Sequence, residues 1–126
     1  MKPAPRILIL EDEFALRRLM KLMLQREGFE VLDATHGQEA LDLIAEHGLP
    51  DIALVDLMMP VMNGEEFARA VKNNGWKLPA IFVSASPEAQ EVCTQLGFAC
   101  VKKPYDFSIL LATIRDELAA AGSPAA

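Results

Sequence analysis

A chain of 126 residues, 52% of them apolar, has the length of one domain and is too hydrophobic to be disordered as its main state. Such a chain buries roughly two-thirds of its unfolded surface, enough for a core without staples. Its 12 basic and 18 acidic side chains leave a net charge of −6, which disfavours nucleic acid and anionic membrane surfaces as direct partners.

Ile7–Leu10 is the first short apolar run of β type, too short for a signal-peptide core. Leu16, Leu19, Met20 and Met23 follow at helical spacing. The second strand is expected over Phe29–Leu32 and ends at Asp33, with Ala40, Leu41 and Ile44 marking the next helix. Ile52–Val55 is the third strand, and Phe67, Ala70 and Val71 the third helical stripe. Apolar runs such as Leu57–Met62 are far below the ~18 residues of a membrane helix. Ala80–Val83 is the fourth strand, and its helix should start near Pro87, which a first turn tolerates. Phe98–Val101 is the fifth strand, before a helix carrying Ile109, Leu110, Ile114 and Leu118. Gly28, Gly48, Gly75 and Gly97 stand where helices should stop. Cys93 and Cys100 have no CxxC spacing and read as buried reduced thiols, which suits a cytoplasmic protein. The folded unit is expected over 5–120, with 121–126 as a flexible tail.

Continuous apolar strands alternating with helices predict an α/β fold with a parallel sheet covered on both faces. Five βα units are too few for a closed eight-fold barrel, so an open doubly wound sheet is expected. In such a sheet the functional crevice lies beyond the carboxyl ends of the strands. Glu11, Asp12 and Glu13 follow strand 1, Asp56 follows strand 3, Ser84 follows strand 4, and Lys103 precedes Pro104 after strand 5. Carboxylates converging from adjacent strands either take up protons or hold a cation. An all-oxygen set with few carboxylates favours a hard ion, Mg²⁺ over Ca²⁺. Ser84 offers a hydroxyl to a phosphoryl oxygen, and a lysine offers a point charge. Strand alternation lets only one of Lys102 and Lys103 point inward.

The strings "ILILEDE", "DIALVDLMMPVMNG", "AIFVSAS" and "VKKPY", in this order and at these spacings, resemble the receiver domains of two-component response regulators, CheY-like proteins. The resemblance covers about residues 5–120 and implies a flavodoxin-like sheet in the order 2-1-3-4-5. It implies that Asp56 accepts a phosphoryl group from a phosphohistidine of a sensor kinase or histidine phosphotransfer protein. Glu11 and Asp12 would hold Mg²⁺ together with Asp56 and the backbone carbonyl of Met58. Ser84 and Lys103 match the hydroxyl and lysine positions, and the Lys103–Pro104 bond is expected to be cis. Such a domain catalyses its own phosphotransfer and dephosphorylation without being a conventional turnover enzyme, and signals to a downstream protein through a changed surface. One departure is clear: the family's switch aromatic, three positions before the lysine, is Cys100 here. Signalling is therefore expected to run through the Ser84 loop, the Lys103–Tyr105 segment and helix 4.

Other readings fit less well. A flavodoxin would need a hydroxyl-rich phosphate loop where Glu11 and Asp12 stand. Nucleotide-binding glycine motifs are absent. An aspartyl phosphatase expects a second acid at Met58. The remaining alternative is a pseudo-receiver, an interaction module that never takes up phosphate. Asp33 carries no expected role, Arg17, Arg18 and Lys21 read as a solvated face or as a surface for an acidic partner beside the site, and His36 and His47 as ordinary loop and helix-end residues.

Overall fold

The computed structural model describes residues 4–56 and 64–122. Five strands alternate with five helices: β1 (Arg6–Leu10), α1 (Phe14–Arg26), β2 (Glu30–Ala34), α2 (Gly37–His47), β3 (Ile52–Asp56), α3 (Gly64–Asn73), β4 (Ala80–Ser84), α4 (Pro87–Gln95), β5 (Ala99–Lys102) and α5 (Phe107–Ala120). All pairings are parallel and the strand order is β2-β1-β3-β4-β5, as expected.

The period of two along each strand splits the core into two layers. Leu8, Leu10, Ala53, Val55, Ala80 and Phe82 face α2, α3 and α4, where Ala40, Ile44, Phe67, Val71 and Cys93 meet them. Ile7, Ile9, Ile52, Leu54, Ile81 and Val83 face α1 and α5, where Met20, Leu24, Leu110, Ile114 and Leu118 cover them. β1, β3 and β4 are thus buried on both faces, which is why they read as unbroken apolar runs.

Several expected boundaries shift, for one physical reason. Phe29 and Phe98 are not the first residues of their strands. Each follows a glycine that closes the preceding helix. The N–H groups of Gly28 and Gly97 bond to Gln25 and Thr94, and those of Phe29 and Phe98 bond to Leu24 and Cys93. This pairing ends a helix with an apolar residue packed back onto its last turn. Gly75 and Trp76 repeat it after α3. The aromatic rings therefore belong to helix ends, not to strands.

Two expected core residues are exposed instead. Leu19 is 53% and Ile109 54% accessible, each one residue from a buried neighbour, Met20 and Leu110. One residue turns a helix by about 100°, so a narrow contact with the sheet takes only one of the two. Cys93 is buried, but Cys100 is only half-buried, because β5 is an edge strand. Among the described residues, no helix is long and apolar enough to cross a membrane.

Candidate functional site

The site forms where β1, β3 and β5 end on the α1/α5 side of the sheet. Asp56 is the last residue of β3, and alternation sets it on the same face as Ile52 and Leu54. Glu11 follows β1 on that face. Both are almost fully buried, while Asp12, next in sequence, is exposed. Carboxylate oxygens of Glu11, Asp12 and Asp56 lie within 4.8 Å of one another.

The Lys103 ammonium donates to Asp56 Oδ2 at 3.0 Å. Lys102 is exposed, so the structure settles which lysine points inward. The Lys103 N–H bonds to the Ser84 carbonyl at 3.0 Å, which fixes the lysine against the end of β4. The Lys103–Pro104 peptide is cis, as the resemblance implied.

Burial pushes the Glu11 carboxyl up to about 7, with like-charge repulsion from Asp56 adding to the shift and a hydrogen bond from the Glu13 N–H opposing it. Burial pulls the Lys103 ammonium down, but Asp56, Glu11 and Tyr105 more than offset this and hold it above the ordinary lysine value. Tyr105 is half-buried and lines the same small cavity of about 10 Å³ as Glu11, Asp56 and Lys103. Its hydroxyl is pushed up by burial, despite the nearby Lys103. Space of this size admits about one water-sized group.

Ser84 is fully buried at the end of β4, on the opposite face with Ala80 and Phe82. Its hydroxyl accepts the Ser86 N–H at 3.0 Å, which leaves its own hydrogen uncommitted by that bond. Met58 lies outside the described residues. Glu13 is the N-cap of α1, and its N–H donates to Glu11 Oε2. His36 caps α2, its ring accepting the Glu39 N–H.

Asp33 and Arg17 depart from their expected roles. Arg17 and Lys21 do not form a solvated face with Arg18. Both grip the Asp33 carboxylate, at 3.2 and 3.1 Å, and Arg17 also donates to the Glu11 carbonyl at 3.0 Å. Helical periodicity places these cations outward. Their partner stands on a neighbouring strand, so only the strand order reveals the pairing.

An acidic cluster crossed by one lysine, at the carboxyl edge of a 2-1-3-4-5 sheet, defines a class. The model of the response regulator receiver domain matches residues 7–115, and the chain belongs to that family. It is 32% identical over 115 residues to Response regulator GtcR of Aneurinibacillus migulanus, covering 89% of this chain and 47% of that protein. The chain spans about half the length of the curated relatives it matches. Among solved structures it is similar to a CheY-like response regulator receiver domain protein from Methanospirillum hungatei JF-1. That likeness has 30% identity and a TM-score of 0.83, and covers 94% of this chain and 97% of the other. Vibrio cholerae chemotaxis protein CheY4 is 29% identical with a TM-score of 0.80, over 90% of this chain and 98% of its own.

Proposed function

We propose that the chain is a phosphoacceptor: Asp56 takes a phosphoryl group from a phosphohistidine of a sensor kinase or histidine phosphotransfer protein. The observation that carries this reading is Asp56 itself, buried at a strand end, paired to Lys103 at 3.0 Å and facing Glu11 and Asp12. In the transfer, a carboxylate oxygen of Asp56 forms a bond to phosphorus. The bond from phosphorus to the donor imidazole nitrogen breaks, and that nitrogen keeps the electron pair. The chain abstracts no proton, because the nucleophile is an anion. Phosphoryl transfer asks a protein mainly for positioning and charge neutralisation. Lys103 supplies a fixed cation beside the accepting oxygen, and Ser84 a hydroxyl hydrogen for a phosphoryl oxygen.

The donor set fits Mg²⁺: three carboxylates at one strand edge, all oxygen, one of them at the solvent rim. Glu11, Asp12 and Asp56 would hold the ion, with the Met58 carbonyl as a further ligand. When bound, the ion would offset the charge that gathers on the phosphoryl oxygens. The receiver unit spans 5–120 and works in the cytoplasm, with 121–126 as a tail. Its output is a changed protein-binding surface read by a downstream protein.

Incubation with acetyl phosphate and Mg²⁺ tests the assignment. Intact mass should rise by one phosphoryl group, and Asp56→Asn should abolish the gain. Undiminished labelling of that variant overturns Asp56 as the acceptor. A wild type that never gains the mass is a pseudo-receiver, an interaction module without phosphotransfer.

A further inference from the structure

We infer that Arg17 is a positioning residue for the acidic pair: it holds the peptide plane between Glu11 and Asp12, and so aims the Asp12 carboxylate at the cation. The inference rests on the metal reading proposed above.

Asp12 is exposed, and the peptide plane that precedes it sets where its Cα, and so the base of its side chain, stands. That plane carries the Glu11 carbonyl oxygen, which accepts a hydrogen bond from Arg17 Nη1 at 3.0 Å. Arg17 is itself held. Its Nε donates to Asp33 Oδ2 at 3.2 Å, the other Asp33 oxygen accepts from Lys21 at 3.1 Å, and its guanidinium lies 5.6 Å from the Phe14 ring centre. The Arg17 side chain is only 13% exposed, far from a freely solvated arginine. The Glu11 N–H meanwhile bonds to the Ala34 carbonyl at 3.1 Å. Both backbone groups of Glu11 are thus tied to the end of β2, one directly and one through Arg17 and Asp33. No other residue joins the end of β1, the first turn of α1 and the end of β2 through one side chain among the described hydrogen bonds.

The clamp and a plain charge effect differ in sign. As a mere positive charge near the cluster, Arg17 repels a divalent cation, and its removal tightens binding. As a clamp, its removal lets the Glu11–Asp12 peptide turn and weakens binding. Outer-shell partners of metal ligands are commonly worth about 10–100-fold in affinity, and a contact to the backbone beside the ligand belongs near the lower end, about tenfold.

Mg²⁺ affinity is measured by calorimetry on the full chain, below the melting transition of every variant. Arg17→Ala should bind about tenfold more weakly, while Arg17→Lys, which can still donate, recovers part of the loss. Asp33→Asn loosens the anchor of Arg17 and should weaken binding too, though loss of its charge acts in the same direction, so Arg17 carries the discrimination. Arg18→Ala removes the same charge from the exposed neighbouring position and should leave affinity near wild type. Arg17→Ala or Asp33→Asn binding Mg²⁺ as tightly as wild type, or tighter, while Asp12→Ala binds weakly, overturns this inference alone. A wild type that takes up no Mg²⁺ overturns the metal reading and this inference with it.

Discussion

Glu11 is folded at an electrostatic cost. Burial strips its carboxyl of water and Asp56 adds repulsion, so it takes up a proton at about 7 against an ordinary 4.5. The folded state then binds this proton more tightly than the unfolded state. The resulting stability is fully present below about 4.5 and is lost as pH rises through about 7. Glu11→Gln keeps an oxygen for the Glu13 N–H and carries no charge. In metal-free buffer the variant should melt above wild type near pH 8, with the gap closing toward pH 5. Equal melting temperatures near pH 8 would contradict this account. At this scale the acidic cluster was legible because Glu11, Asp12 and Asp56 stand at the ends of apolar runs, whereas the choice of Lys103 over Lys102 came from the resemblance. Arg17 and Asp33 were not, because opposite charges on a helix and an edge strand look solvated until the strands are ordered.

The elements show the same division. Strand number and helix stripes followed from unbroken apolar runs alternating with period 3.6, whereas the strand order came from the resemblance to receiver domains and was then borne out. What the pattern misassigned were the aromatic residues after glycines, since an apolar ring beside an apolar run looks like more strand. The hydrogen bonds of Phe29 and Phe98 back into their helices decide otherwise. Gly48 ends α2 differently, with φ 86° and ψ 174°, a region that only glycine occupies readily. A Cβ there would meet nothing within 4 Å. Gly48→Ala should therefore destabilise through the backbone alone, by roughly 1–3 kcal/mol in chemical denaturation. A change of a few tenths would show that the loop relaxes without strain.

Across the whole molecule, the acidic cluster sits at the carboxyl ends of the strands and Trp76 at the other. The indole lines a cavity of about 440 Å³ with Pro79, Ala80 and Phe98, where β4 and β5 begin. A five-residue strand separates the two ends by roughly 15 Å, so Trp76 is a poor optical reporter of the site. Between β4 and β5, Cys100 stands where the resemblance to receiver domains implies an aromatic. Cys100 pairs in register with Phe82, and the Phe82 and Phe98 rings are 5.1 Å apart. With a small thiol at position 100, there is no ring to swing. On the proposed phosphoryl chemistry, the contact that differs between states is the Ser84 hydroxyl, and a ligand shifts an equilibrium only through such a difference. Beryllofluoride should change amide exchange in β5 and α4 of the wild type, and Ser84→Ala should lose that change. Identical protection changes in both proteins would remove Ser84 from the signal path.

The bond from the Lys103 N–H to the Ser84 carbonyl has a mechanical reading. It joins main-chain atoms at both ends, so it does not depend on the Ser84 side chain or the Lys103 ammonium. The lysine that touches Asp56 and the serine at the end of β4 therefore share one pivot. On the proposed phosphoryl chemistry, a pull on the hydroxyl would draw on the strand end, and this bond would pass it to the base of the lysine. On that reading a signal would need no moving ring: a peptide hydrogen bond would act as the fulcrum between the side chains at positions 84 and 103.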